Sequence, residues 1–252
     1  MRLRDLARLS ALAAFALPVA VFAQGTPAVD YTVVCVIGDR FTVADRNTDV
    51  RREGHQGYTF PLGSASVDAT ALAVVKDVLA ERLPGANISL AVVREPAVFE
   101  AEEEVLGLTR ETQPLIDALQ PVLSRIKSRR IVLVSKTREP VDVHFDNRYA
   151  QRPGVIEGLG FYLDPGRRVQ DTKTFEIVQG YVGVFANFRV SLVDQATGRL
   201  IDEERIAAVE AVRDAAKDPW NSMTPEQKVA AIKDLVTTQV RKVLPGLIER
   251  SR

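Results

Sequence analysis

The sequence predicts an α/β fold of the α+β kind: a mixed, largely antiparallel sheet with a long central hairpin, packed by amphipathic helices. Three observations predict it. From Tyr181 onward Val182, Val184, Ala186, Phe188, Val190 and Leu192 alternate with other residues, the period of a strand with one buried face. A turn cluster, Asp194 to Arg199 with Gly198 where a positive φ is needed, leads into a charged return run from Leu200 to Val212. Near the C-terminal end, Thr224, Pro225 and Gln227 spell a capping box with Pro in the first helical position. Val229, Ile232, Leu235, Val236, Val240, Val243 and Leu244 come after it at helical spacing, and Pro245-Gly246 is expected to end or kink the helix.

Residues 1–23 are expected to lie outside this fold. Arg2, Arg4 and Arg8 precede an apolar run, Leu9 to Phe22, that is too short for a comfortable membrane span. Val21-Phe22-Ala23 then fits a cleavage site, so the reading is a secretory signal peptide cut after Ala23. Residues 24–252 are expected to be a single periplasmic domain with no membrane span. The whole chain has a formal net charge of +0, and loss of the leader makes it slightly negative. That argues against a nucleic-acid partner, which selects a basic face. The one cysteine, Cys35, sits among Val33, Val34, Val36 and Ile37, so it reads as a buried, inert thiol.

Taken in order, Tyr31 to Ile37 is a strand, Gly38-Asp39 a turn, and Phe41 to Ala44 a returning strand, which together make an N-terminal hairpin. Asn47 to Gly63 reads as an exposed loop or ragged edge strand. Asp68 to Leu83 is a helix with Leu72, Val75, Leu79 and Leu83 on one stripe, capped by Ser66 and stopped by Pro84-Gly85. Ile88 to Val93 is a short continuous apolar strand. Residues 96–128 form a possible helical insertion. In it Glu100, Glu102, Glu103 and Glu104 read as a solvated face, with a cation site as the lesser reading, and Pro114 and Pro121 interrupt the helical run from Glu111 to Ser128. Ile131 to Val134 is a buried strand, and Thr137 to Pro153 a charged connection. Val155 to Leu163 is a strand whose Gly158 and Gly160 leave room for a bulge or close backbone approach, and Asp164 to Thr174 is a polar loop.

The chain carries no G-x-S-x-G elbow, and Ser64 near His55 has no orienting acid that the sequence can place. His144 and Asp146 would share a strand face, with His55 as a third ligand from a loop. There is no H-E-x-x-H, however, and a lone Gly158-Leu159-Gly160 inside a strand is no phosphate loop. No catalytic residue, metal or cofactor is therefore assigned. The stretch from Asp142 to Asp171 interleaves aromatic residues with arginines, the types enriched in interface hot spots. Arg148, Tyr149, Arg152, Phe161 and Tyr162 are the candidate contact residues.

The strand ending Ser191-Leu192-Val193-Asp194-Gln195-Ala196-Thr197-Gly198-Arg199-Leu200-Ile201, its charged return and the C-terminal helix resemble a group of bacterial envelope domains. The group includes the amino-terminal domain of the Tol-system periplasmic propeller protein, the curli-secretion lipoprotein and the lipoprotein activators of penicillin-binding proteins. The resemblance covers residues 65–93 and 130–248. It implies an anticodon-binding-like α/β domain that binds protein and is not an enzyme. The lipoprotein members carry a lipobox cysteine, which this chain lacks. The expectation is thus a non-catalytic periplasmic protein-binding module, acting in cell-envelope assembly or maintenance with another envelope protein as partner. A small periplasmic metal-dependent hydrolase using His55, His144 and Asp146, or a small-ligand carrier, is the alternative.

Overall fold

The computed structural model describes residues 31–38, 40–45, 58–62, 67–140, 143–145, 149–151, 155–170, 177–212 and 219–251. In chain order the elements begin β1 (Tyr31–Cys35), β2 (Arg40–Asp45), β3 (Tyr58–Pro61), α1 (Val67–Arg82) and β4 (Ile88–Val92). Three helices come next, α2 (Pro96–Leu108), α3 (Gln113–Ala118) and α4 (Gln120–Leu123), then β5 (Arg130–Lys136), β6 (Arg138–Pro140), β7 (Val143–Phe145), β8 (Tyr149–Gln151) and β9 (Val155–Glu157). The chain closes with β10 (Leu159–Gln170), β11 (Ile177–Asp194), β12 (Arg199–Val212), α5 (Pro219–Ser222) and α6 (Pro225–Arg250).

The expected hairpin is the spine of the molecule. β11 pairs antiparallel with β12 from Val182↔Val212 to Asp194↔Arg199 along one edge. Its opposite edge is shared between two neighbours. The first half, Ile177 to Ala186, takes β10, and the second half, Phe188 to Asp194, takes β5. Two wings therefore leave β11 on that side, one ordered β10-β2-β3 and the other β5-β1-β4. β1 is parallel to β4 and β5, and β2 is parallel to β10, so the sheet is mixed.

The N-terminal hairpin does not form, because β1 and β2 lie in different wings. The cause is legible in burial. Val33 to Ile37 are all buried, so β1 is covered on both faces, as a central parallel strand must be. Gly38, with φ +82, lets the chain leave β1 and cross to the other wing.

Two helical layers cover the sheet. α1 and α6 pack on one face, where Val33, Cys35, Val132, Val134, Phe188, Val190 and Leu192 meet Leu72, Val75, Leu79, Ile232, Leu235 and Val236 in one core. α1 buries Ala71, Val74 and Val78 beyond its expected stripe, because it lies between the sheet and α6. The capping box of α6 is present, with Gln227 N–H donating to Thr224 Oγ1 and Thr224 N–H donating to Gln227 Oε1. Pro245 does not end the helix, which runs on to Arg250. Leu244, Leu247 and Ile248 are buried, and that burial outweighs the hydrogen bond lost at proline.

Residues 96–128 pack on the opposite face. Val98, Leu115, Ile116, Leu119 and Leu123 close over Val34, Val36, Ile131, Leu133 and Val193. Pro114 and Pro121 stand at the starts of α3 and α4, so the region is three short helices. A smaller cluster of Ala44, Ile156, Tyr162, Tyr181 and Phe185 covers the other wing on this side. The connection expected over 137–153 contains strands: β6 pairs with β9, and β7 with β8. The loop expected from Asp164 is strand as far as Gln170, because the ladder to β11 resumes after a register shift between Asp164 and Arg168.

Candidate functional site

The sequence-derived contact set is not one site. Phe161 is fully buried, edge-on to both Phe41 and Trp220 with centroid distances of 5.8 and 5.3 Å. Tyr162 is buried on the opposite face of β10, in the cluster with Phe185. Neighbouring strand residues point to opposite faces, and both faces of β10 are covered here, so neither ring reaches a surface. Arg148 and Arg152 lie outside the described residues. Tyr149 is in β8, but its side chain is outside the described set. His55 and Asp146 are likewise outside it, as are Ser64 and the expected cap Ser66, while His144 is described only as backbone in β7. Among the described residues no group of three His, Cys, Asp or Glu could hold a metal ion. Ser124 and Lys127 have the S-x-x-K spacing of serine–lysine nucleophiles, but both are exposed at the turn after α4.

One acidic residue departs from its expected place. Glu100, Glu103 and Glu104 face solvent, as a charged helix face should, whereas Glu102 is fully buried between α2 and the end of β5. Its Oε1 accepts from the backbone N–H of Lys136 at 2.9 Å, and its Oε2 lies 3.6 Å from Lys136 Nζ. The same ammonium is 3.7 Å from Glu103 and 3.4 Å from Glu157, and Glu157 also accepts from Arg138 Nε at 2.9 Å. Burial pushes the Glu102 carboxyl up to about 8, against the pull of Lys136. Burial also works against the charge of Lys136, but Glu102, Glu157 and Glu103 together hold its pKa above the ordinary lysine value.

The cluster lies where β11 changes neighbours. Arg189, just past the exchange, is fully buried. Its Nε donates to Ser135 Oγ at 3.0 Å, and its Nη1 donates to Thr112 Oγ1 at 2.6 Å and to the Arg110 carbonyl at 3.3 Å. Thr112 in turn donates to Glu203 on β12. Arg189 thereby ties the α2–α3 connection to three strands. Arg189 lies on the odd-numbered face of β11, opposite the apolar alternation from Val182 to Leu192, so the sequence reads it as an ordinary outward charge, and only the α2–α3 connection packed on that face buries it. The network is enclosed, and its groups fix one another, which suits a device that sets register better than a reaction centre.

The turn of the hairpin is also held from outside. Gln113 donates to the Gly198 carbonyl at 3.0 Å and accepts from Leu200 N–H at 3.1 Å, and Asp194 accepts from both the N–H and the hydroxyl of Thr197. A shallow polar cleft of about 560 Å³ runs between α3 and this turn, past Asp117, Gln120 and Arg199. Its polar groups are largely committed to the turn itself.

Among the described residues the exposed large hydrophobic side chains are Leu108 in α2, Ile201 in β12 and two pairs on the strands that end the wings. β3 and β4 terminate the two wings. β4 reads Ile88-Ser89-Leu90-Ala91-Val92, with neither charge nor proline, and it packs against β1 and α1. Leu90 and Val92 are 43% and 62% exposed, and their two-residue spacing puts them on one face. β3 repeats the arrangement with Tyr58 and Phe60, 71% and 43% exposed, but closes on Pro61, which offers no N–H. Natural edge strands are usually blunted by charge, proline or cover, and β4 shows neither of the first two. Among the described residues no helix is long and apolar enough to cross a membrane.

No family model matches the chain, and no curated protein does. Solved structures to which the chain is similar include a Xanthomonas campestris protein of the DUF330 family model, 13% identical, with a TM-score of 0.35 over 88% of this chain and 85% of that one. A neuraminyllactose-binding hemagglutinin homologue from Helicobacter pylori is 7% identical, with a TM-score of 0.33 over 86% and 82%. A lipoprotein from Neisseria meningitidis is 11% identical, with a TM-score of 0.26 over 86% and 99%. Likeness of this degree carries no inference about what the chain does.

Proposed function

We propose that the chain is a non-catalytic protein-binding module of the cell envelope, exported to the periplasm, and that it takes its partner at the open edge of β4. The observation that carries this reading is the pair Leu90 and Val92, large apolar side chains left in water on an uncharged strand that ends the sheet. Such an edge offers a partner two things. Among the described residues no strand pairs with the outer side of β4, so its N–H and C=O groups there suit another extended strand, and the two side chains supply apolar area beside it. The signal-peptide pattern of residues 1–23 and the resemblance of Ser191–Ile201 to envelope domains support the compartment.

The test is a double charge substitution, Leu90→Lys with Val92→Lys, made in the tagged chain and followed by cross-linking in cells. Both positions are already exposed, so stability should change by no more than about 0.5 kcal/mol. The dominant envelope protein recovered with the parent chain is expected to be lost. Full recovery of the same partner by a folded double variant would remove β4 from the account.

A further inference from the structure

The edge of β4 has two unlike sides, and the difference restricts what can pair with it. In the parallel ladder to β1, Leu90 stands opposite Val33 and Val92 opposite Cys35. Paired residues share a face, and Val33 and Cys35 lie in the core beneath α1 and α6. Leu90 and Val92 therefore stand on the α1 side, and Ser89 and Ala91 on the other.

α1 extends the apolar side outward. Its Asp77 and Glu81 pair with Arg241, so that flank meets α6. Helical spacing puts Ala69, Lys76, Ala80 and half-buried Leu83 on the flank turned away from α6. α6 packs on β11 and β12, and α1 on β1 and β4, so this flank lies toward the outer side of β4. The turn at Pro84-Gly85 sends the chain back from α1 into β4. Rises of about 1.5 Å per helical residue and about 3.3 Å per strand residue then bring Lys76 level with the stretch between Leu90 and Val92. Lys76 carries the one charge of the four, and its aliphatic stem suits apolar surface while its ammonium stays in water.

The opposite side is polar. The helices α2, α3 and α4 close over β1, β5 and Val193, and of β4 itself only Ala91 joins that cluster. Ser89 is exposed, and past the end of the strand the exposed Glu95 and Arg125 face each other at 4.0 Å. A strand laid about 4.8 Å beyond β4 has apolar surface beside one face and water beside the other.

We propose that the segment β4 accepts is an amphipathic strand of the partner, with large apolar residues at alternate positions over Leu90, Val92 and the stem of Lys76, and polar residues between them. The inference rests on β4 being the partner edge. It excludes a continuously apolar segment, which would leave half of its side chains in water on the Ser89 side. It also excludes a helix, whose backbone groups are already paired along its own axis.

Photo-cross-linking amino acids placed singly at Val92, Lys76 and Ser89 of the exported full chain test it, with each adduct mapped to the residue captured. All three positions are exposed, so the variants should keep the fold. Val92 and Lys76 should capture apolar residues on one face of a single segment, an even number of positions apart. Ser89 should capture polar residues of the same segment, an odd number of positions from those. Adducts from Val92 with none from Lys76, or a captured segment without alternation, would overturn the inference and leave the β4 edge standing. No adduct from Val92 would remove both. A synthetic peptide of the captured segment, titrated into the purified chain, gives the second readout. Exchanging each apolar residue with its polar neighbour keeps the composition and should weaken binding about tenfold or more. Equal affinity of the two peptides would also overturn the inference.

Discussion

The backbone amide of Thr137 donates to the carbonyl of Asn187 at 3.1 Å, and that bond marks the place where β11 exchanges one neighbour for another. The amide of Asn187 donates to Gly158 at 2.8 Å, and the amide of Gly158 donates back to Thr137 at 3.1 Å. The side chain of Asn187 adds a bond to the Ile156 carbonyl at 2.8 Å. The triangle supplies partners at the point where a divided ladder would otherwise strand its polar groups.

Arg189→Ala removes the centre of the buried network beside this junction. It leaves Thr112, Ser135 and Glu203 without their shared cation. The expected cost is about 3–5 kcal/mol, the range for breaking a buried charged pair from one side. Arg189→Met, which fills much of the volume, should cost less. Urea unfolding of both variants checks this, and equal costs would show that filling the volume contributes nothing and that the lost hydrogen bonds alone set the cost.

Gly160 lies where β10 passes β2 too closely for a side chain. A Cβ there would sit 1.8 Å from the Thr42 carbonyl oxygen. Gly160→Ala must therefore part the β2–β10 ladder, at a cost of about 3 kcal/mol or more. Gly107 in α2 has open space around it, so Gly107→Ala should stabilise by about 0.5–1 kcal/mol. Thermal or urea unfolding of the pair should give opposite signs.

The thiol of Cys35 donates to Asp68 at 3.0 Å inside the core. Burial first, and then the charge of Asp68, pushes its pKa well above the ordinary thiol value. At pH 8 the native chain should resist an aromatic disulfide reagent over a period in which the denatured chain releases one equivalent. Prompt labelling of the native chain would contradict the buried, protonated thiol.

Much of the fold is legible in the sequence because it rests on periodicity. The alternation from Val182 to Leu192 and the capping box at Thr224 are local signals, and the structure keeps both. Partner choice between strands is not local. Nothing between Tyr31 and Ala44 shows that β1 joins β4 and β5 while β2 joins β10, since a continuous apolar run and a Gly turn fit a hairpin equally well. The site is less legible. Phe161 and Tyr162 look like recognition residues beside arginines, yet both faces of their strand are covered. Glu102 looks like its neighbours Glu103 and Glu104, and only the docking of α2 on the junction separates it from them. Leu90 and Val92 belong to a short continuous apolar run, and such a run carries no mark of being an edge.

The edge of β4 is tested most directly by a photo-cross-linking amino acid placed at Val92 in the exported chain, with a matching probe at exposed Asp234 on α6 as control. Irradiation in cells should give one discrete adduct from Val92, containing an envelope protein cross-linked through an extended segment, and no such adduct from Asp234. An adduct from Val92 to a second copy of this chain, equal adducts from both positions, or none from Val92 would contradict a partner-binding edge at β4.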